Sequence, residues 1–169
     1  MSATRIQQLT ASDIMTNDPL TVSPTDMLRD ALQLMVDNHV TGLPVVDKAG
    51  HCVGVISASD ILSYEQEHAD EAEDVNADKA RFFDHERNRW ESLRASTFAL
   101  EHFGHIPVGE LMSGQVVSIQ SDAPVGDVAR LMIEHDVHRV MVTSGSRYLL
   151  GTISAIDIVQ LVADGTLPR

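Results

Sequence analysis

The octet Gly54-Val55-Ile56-Ser57-Ala58-Ser59-Asp60-Ile61 returns 97 residues later as Gly151-Thr152-Ile153-Ser154-Ala155-Ile156-Asp157-Ile158. In each copy an apolar β-type run ends at the serine and passes into a helical pattern, so this serine lies where a helix begins. A helix start presents free backbone N–H groups and the positive end of the helix dipole, which suits an anion. The aspartate three residues on can accept two hydroxyl groups, as a ribose would offer.

A purely local interpretation of each octet also exists. Ser57 and Ser154 can be simple N-caps, and Asp60 and Asp157 can merely favour the helix dipole. The duplication favours a shared binding role, because it extends through the chain without a gap. The same offset pairs further residues of identical type: Met15 with Met112, Asp30 with Asp127, Val40 with Val137, and Val45 with Val142.

Composition and charge restrict the class of protein. The 169 residues carry a formal charge of −13, so long-range attraction to nucleic acid or to anionic lipid is not expected. The single Cys52 excludes an internal disulfide and is predicted to be a core thiol. The first ten residues lack a signal-peptide core, and no run of eighteen apolar residues occurs. We therefore predict a cytoplasmic protein without a membrane partner.

The hydrophobic patterns predict the same order of elements in both copies: strand, helix, strand, strand, helix. The predicted organisation has five segments: a leader at 1–9, unit 1 at 10–64, an insert at 65–106, unit 2 at 107–163 and a tail at 164–169. Each unit is too small to bury a sound core alone, so the two are expected to pack on each other through their sheets.

The insert at 65–106 begins with a strongly acidic half, which predicts a solvated and mobile segment. From Asn76 or Ala77 onward, apolar residues recur at helical spacing: Phe83, Trp90, Leu93 and Leu100. This spacing predicts a long amphipathic helix that either covers its own module or packs on a partner.

Catalytic and metal-binding patterns are not found. His102 and His105 stand three apart, but Gly104 between them argues against one helix presenting both, and no cysteine or carboxylate completes a ligand set. The chain also has no Walker loop, dinucleotide glycine fingerprint or nucleophile elbow. We expect neither an enzyme nor a resident metal.

Several motifs, in order and twice, resemble the cystathionine-beta-synthase-type (CBS) domain. The first copy carries Asp13-Ile14-Met15-Thr16, Thr21-Val22, His39-Val40-Thr41-Gly42-Leu43-Pro44-Val45-Val46-Asp47 and the first octet. The second copy carries Glu110-Leu111-Met112-Ser113, Ser118-Ile119, Val137-His138-Arg139-Val140-Met141-Val142 and the second octet. The resemblance implies a Bateman module of class α/β, in which two β-α-β-β-α units are related by a pseudo-twofold axis.

Such modules usually bind adenosine-containing ligands in two clefts between the units, with the aspartate of the Ser/Thr-x-x-Asp motif on the ribose. Carried over residue by residue, the resemblance implies two groups. The first is Ser57 and Asp60 with Ser113, Val137, His138 and Arg139. The second is Ser154 and Asp157 with Thr16, Val40, Thr41 and Gly42.

The two implied clefts differ in charge. His138 and Arg139 match a His-Arg pair that contacts nucleotide phosphates in the family, so their cleft is expected to prefer AMP, ADP or ATP. The other cleft has Thr41 and Gly42 instead and is expected to be empty, weaker or suited to S-adenosylmethionine. The alternative for the pair is a packed His138 and a surface Arg139 bridged to Asp136.

Two functional classes remain open at this point. In the first, a non-catalytic sensor binds an adenine nucleotide and signals to an unidentified protein target by a conformational change. In the second, the chain is a structural or oligomerisation module with degenerate clefts. A homodimer is expected from the resemblance alone.

Overall fold

The computed structural model describes residues 8–67, 78–84, 89–95 and 103–164. Their elements, in chain order, are α1 (Ala11–Ile14), β1 (Thr16–Asn17), α2 (Leu28–Asp37), β2 (Gly42–Val46), β3 (Cys52–Ser57), α3 (Ala58–Glu67), β4 (Asp78–Asp84), β5 (Arg89–Ala95), α4 (Val108–Leu111), β6 (Ser118–Gln120), α5 (Val125–Glu134), β7 (Arg139–Thr143), β8 (Leu149–Ser154) and α6 (Ala155–Asp164).

The chain forms two compact units that are not contiguous in sequence. The first-repeat unit consists of Thr21–Asp47 and Val53–Gly114, and the second-repeat unit of Met1–Leu20, Lys48–Cys52 and Gln115–Arg169. Each unit has its own hydrophobic core. The predicted order of strand, helix, strand, strand, helix is found in the described part of both repeats, with a single bridging residue, Val22, at the first strand of the first repeat.

The second-repeat unit is built on a four-stranded sheet in the order β1-β8-β7-β6. β7 and β8 form an antiparallel hairpin, and β6 runs parallel to β7. Helix α5 covers this sheet because its apolar residues recur every three or four positions, which places Val125, Val128 and Met132 on one buried face. The core that they enter includes the strand residues Val140, Val142 and Ile153.

The first-repeat unit repeats this plan around the β2–β3 pair. A parallel bridge from Val22 to Val45 and an antiparallel bridge from Val55 to Ser113 extend the pair on its two sides. Helix α2 buries Leu28, Ala31, Leu32 and Met35 against it. Both units therefore have the same strand order, as the sequence duplication predicts.

The segment before each repeat's first strand packs in the unit that contains the other repeat. Ala11 and Ile14 of α1 lie in the core of the second-repeat unit, and β1 pairs with β8. Val108 of α4 and the preceding Phe103 and Ile106 lie in the core of the first-repeat unit. The compact units are therefore discontinuous in sequence, whereas the predicted units were the continuous segments 10–64 and 107–163. The predicted repeat boundaries remain a prediction.

The helix predicted within the insert is wrong over the residues that the structure describes. β4 and β5 form an antiparallel hairpin there, in which Phe83 stands opposite Trp90 and Ala80 opposite Leu93. Aromatic residues favour strands, which agrees with Phe82, Phe83 and Trp90 lying in this hairpin. Leu100 and the acidic residues 68–77 of that prediction lie outside the described residues.

Among the residues that the structure describes, no helix combines the length and the apolar character needed to cross a lipid bilayer.

Candidate functional site

The two octets form the same turn at the end of a strand. At Ser57, where β3 ends, the backbone N–H donates to Oδ2 of Asp60 at 2.7 Å and the hydroxyl donates to the same oxygen at 2.6 Å. At Ser154, where β8 ends, the corresponding bonds to Oδ2 of Asp157 are also 2.7 and 2.6 Å. Both turns are half-buried. In the described part of the chain Oδ1 of either aspartate accepts no hydrogen bond, so each turn offers one carboxylate oxygen to a ligand.

Two further Ser/Thr-x-x-Asp turns occur elsewhere with the same backbone hydrogen bond. The N–H of Thr10 donates to Oδ2 of Asp13 at 2.8 Å, and the N–H of Ser23 donates to Oδ2 of Asp26 at 2.8 Å. These bonds are exposed, and the Thr10 N–H and hydroxyl hold the pKa of Asp13 below its ordinary value. Local capping therefore accounts for the turn itself, and only its position at the end of β3 or β8 distinguishes the octets.

A second chain segment lies against each octet within the same unit. The N–H of Ala58 donates to the carbonyl oxygen of Thr41, and the N–H of Ala155 donates to that of His138, both at 2.9 Å. The residue that follows this carbonyl acceptor differs between the units: it is Gly42 after Thr41 and Arg139 after His138. Arg139 stands opposite Ser154 in the β7–β8 register.

Gly42 occupies the position of Arg139 in the first-repeat unit. A Cβ added there would lie 3.1 Å from the carbonyl oxygen of Ile56 and 3.4 Å from the Cβ of Ser57. The two strands therefore approach each other closely beside the turn, and glycine accommodates this approach.

Left-handed residues position both of these segments. His39 (φ 54°) follows the cap of α2, and Asp136 (φ 52°) follows the cap of α5. The next N–H groups, of Val40 and Val137, then donate to the carbonyl oxygens of Met35 and Met132 at 3.0 Å. This ending reverses the chain in the same way after both helices, so 40–42 and 137–139 enter their strands equivalently.

A third segment crosses the strand that precedes each turn. Ser113 exchanges backbone hydrogen bonds of 2.9 and 3.0 Å with Val55, two residues before Ser57. Thr16 stands opposite Thr152, two residues before Ser154. The structure thus brings Ser113 and Thr16, both exposed, to the edge of the strand that ends at the respective turn.

Arg139 gives the turn of the second-repeat unit a positive charge. Burial lowers the pKa of this guanidinium, and the nearby carboxylate of Asp157 raises it. The guanidinium stays charged at neutral pH, because arginine titrates far above that range. Within its unit Arg139 therefore acts on Asp157, whereas the sequence analysis grouped it with Ser57 and Asp60. The groups as predicted, which draw on both units, remain a prediction.

A family model for the CBS domain matches residues 11–67 and 108–164. The chain belongs to the CBS domain family. Each CBS repeat contains one of the two octets. Each family match begins at the first residue of a short helix, Ala11 of α1 or Val108 of α4.

Relatives of this CBS protein match it over most of its length. CBSX1 from Arabidopsis thaliana is 26% identical over 161 residues, which are 94% of this chain and 66% of the relative. A crystal structure of CBSX2 from the same plant in complex with AMP is 25% identical, with a TM-score of 0.66, over 92% of this chain and 96% of that one. A CBS domain pair of protein MJ0100, solved with 5′-methylthioadenosine and S-adenosyl-L-methionine, is 19% identical and has a TM-score of 0.66 over 94% of this chain and 98% of that one.

The CBS chain spans between 31% and 66% of the lengths of three curated relatives that it matches. The MJ0100 likeness supports the fold alone. The expected fold, a tandem CBS pair of mixed α/β class, is confirmed.

The sequence analysis missed one feature of the CBS repeats, the first glycine of each octet. A Cβ on Gly54 would lie 2.9 Å from the carbonyl oxygen of Ser113, and one on Gly151 would lie 2.7 Å from that of Thr16. The sulfur atoms of Met112 and Met15 crowd the same two positions. The repeated glycine within an otherwise apolar strand was the available signal, because such a glycine often marks a close backbone approach.

Proposed function

We propose that this CBS pair is a non-catalytic regulatory module that binds an adenosine-containing ligand at its Ser-x-x-Asp turns. AMP, ADP and ATP are the favoured ligands, and S-adenosylmethionine is the alternative. The observation that carries the proposal is the identical geometry at Ser57–Asp60 and Ser154–Asp157, in which Oδ2 is held by the serine and Oδ1 stays available.

The chemistry of the turns supports such a ligand. Oδ1 of Asp60 or Asp157 can accept hydrogen bonds from the two ribose hydroxyls, and a charged acceptor makes such bonds stronger than neutral ones. The N-terminal amides of α3 and α6, each ten residues long, add a positive dipole beside it. AMP bound to the relative CBSX2 further supports an adenine nucleotide.

Regulation completes the proposal. A ligand can shift a conformational equilibrium only if it binds the two conformations with different affinities. The proposed signal is therefore a ligand-dependent change in contact with a protein target whose identity stays open.

Asp60→Asn and Asp157→Asn test the binding role. Asparagine keeps an oxygen that can accept both bonds from the serine, so the turn persists while the charge is lost. We expect each substitution to weaken binding at its own turn by about 10- to 100-fold, the value of charge-assisted hydrogen bonds. Isothermal titration with AMP, ADP, ATP and S-adenosylmethionine measures this.

Asp26→Asn is the matched control, because it makes the same change in an exposed Ser-x-x-Asp turn away from the ends of β3 and β8. It should leave binding unchanged. If all four compounds fail to bind the wild-type chain, freed of any copurified ligand, the turns are caps only and the proposal is wrong.

A structural module is the second candidate, since the capping turns at Thr10–Asp13 and Ser23–Asp26 need no ligand. In that case the serine substitutions Ser57→Ala and Ser154→Ala would lower thermal stability while no compound bound. Loss of a cap of this kind costs about 1 kcal/mol.

A further inference from the structure

We infer that the tips of two β-hairpins together form a docking surface for an acidic segment of a protein partner. The tips are residues 48–51, between β2 and β3, and residues 144–148, between β7 and β8, and both belong to the second-repeat unit. We call them the paired tips. The inference goes beyond the proposed function, because it uses neither Ser-x-x-Asp turn and describes where a protein target binds.

Backbone hydrogen bonds hold the paired tips together. His51 and Tyr148 stand opposite each other in an antiparallel bridge. The residues that follow them, Cys52 and Leu149, each donate a backbone N–H across to a carbonyl oxygen of the other tip at 3.0 Å. The paired tips are therefore one surface with a fixed backbone rather than two independent loops.

The paired tips carry positive charge in a chain whose net charge is −13. Lys48 and Arg147 are exposed, and within the described ranges neither forms an ion pair. The paired tips contain no carboxylate, and the flanking Asp47 is half-buried and already has an interaction of its own. An incoming carboxylate would therefore meet two exposed cations without displacing an existing ion pair.

Arg147 is held in a backbone conformation that favours glycine. Its φ is 64°, and the equivalent residue of the first repeat, 97 positions earlier, is Gly50 with a φ of 82°. An L-residue loses stability in this left-handed region. Since the exposed guanidinium forms no ion pair in the described part of the chain, no local salt bridge offsets that loss. Strain of this kind is typical of a residue retained for function.

Tyr148 adds an aromatic surface beside the two cations. Its ring lies so close to Gly50 that a Cβ there would collide with the ring carbons, yet 48% of the tyrosine stays exposed. Tyrosine and arginine are enriched in protein–protein interfaces, and tyrosine offers a large contact area at a low cost in conformational entropy. This combination favours a protein partner over a small free anion.

The net charge of the chain restricts the partner further. Nucleic acid or an anionic bilayer would extend past the paired tips and be repelled by a chain of charge −13. A short acidic segment is attracted locally, because exposed charges act over about 8 Å at physiological salt. The inferred partner is therefore a protein with a short run of carboxylates.

Fluorescence anisotropy with a dye-labelled peptide of Glu-Gly repeats tests the inference on the full chain. The same peptide with glutamine in place of glutamate is the uncharged control and should not bind. We expect the acidic peptide to bind, and to bind more weakly as salt is raised. Arg147→Gln and Lys48→Gln should each weaken binding by about two- to fivefold, the value of an exposed ion pair.

Arg130→Gln is the matched control for charge, because Arg130 is an exposed arginine of the same unit that lies on α5 and pairs with Asp127. It removes the same charge away from the paired tips and should leave peptide binding unchanged.

Arg147→Gly separates binding from stability. It should raise the midpoint of chemical denaturation, because glycine relieves the left-handed strain, and weaken the peptide as much as Arg147→Gln does. Ser146→Gly is its control, since the φ of Ser146 is not positive, and it should not raise the midpoint. A lower midpoint for Arg147→Gly would contradict the inference.

The inference is also wrong if the acidic peptide does not bind the wild-type chain, or if Arg147→Gln and Lys48→Gln leave its affinity unchanged. Tighter binding of a short thymidine oligonucleotide than of the peptide would overturn it in favour of nucleic acid. These measurements contain no adenosyl compound, so their failure would leave the proposed function standing.

Discussion

At the residue scale, the glycines of the two octets explain why the crossing segments can approach the turns. Gly54 and Gly151 face backbone carbonyl oxygens, which cannot move aside as the end of a flexible side chain can. The fold therefore requires that these positions carry no side chain, because a side chain there would displace the backbone of Ser113 or Thr16.

We expect Gly54→Ala and Gly151→Ala each to lower the free energy of unfolding by about 1–3 kcal/mol, because the new methyl group overpacks a closed contact. Chemical denaturation measures the change. Gly126→Ala is the control, since nothing lies within 4 Å of a Cβ there and the residue is helical. That substitution should be neutral or stabilising by up to about 1 kcal/mol, and equal losses for all three would contradict the account.

At the scale of elements, the short helix at the start of each repeat packs in the core of the unit that contains the other repeat. α1 opens the first repeat in sequence yet buries Ile14, which is 2% exposed, in the core of the second-repeat unit. Ile106 lies before the second repeat yet is 7% exposed in the core of the first-repeat unit. Sequence proximity would assign both residues to the opposite repeats.

Ile14→Ala should destabilise the chain by about 2–5 kcal/mol, the cost of truncating a buried isoleucine. Hydrogen exchange should show the loss of protection first in β7 and β8, with β2 and β3 less affected. Ile106→Ala makes the same change in the other core and should show the reverse pattern. If Ile14→Ala instead reduced protection first in β2 and β3, the assignment of α1 to the core of the second-repeat unit would be wrong.

At the scale of the whole molecule, an apolar stripe on α6 offers a surface for the homodimer that the family resemblance led us to expect. Ile156, Val159 and Val162 are 66%, 58% and 65% exposed and recur every three residues. A contiguous exposed apolar stripe is typical of a surface that a partner covers. A second copy would bring two uncharged stripes together in a chain whose net charge of −13 otherwise opposes association.

Val159→Lys should shift a dimer to monomer, because a lysine would be desolvated at the centre of the stripe. Sedimentation velocity at matched protein concentration measures the change. Gln160→Lys adds the same charge at the neighbouring exposed position and should leave the dimer intact. A wild-type chain that sediments as a monomer would show that the expectation of a homodimer is wrong.

Much of the fold and part of the candidate site follow from the sequence. The octets, their offset and the apolar stripes of α2 and α5 identify two equivalent repeats, because local propensity and periodicity are read from neighbours in the chain. The serine and aspartate of each turn are three residues apart, so their hydrogen bonds are also local. These features need no knowledge of distant contacts.

Tertiary structure decided the remainder. The pairing of β1 with β8, the bridge from Ser113 to Val55 and the position of Arg139 beside Asp157 are contacts between residues far apart in sequence or on different elements. The apolar residues of the insert recur at helical spacing, yet the described residues form the β4–β5 hairpin, because strand pairing overrode the local pattern. Sequence determines which groups are present, whereas strand pairing determines which of them share a turn, because register is set by long-range packing.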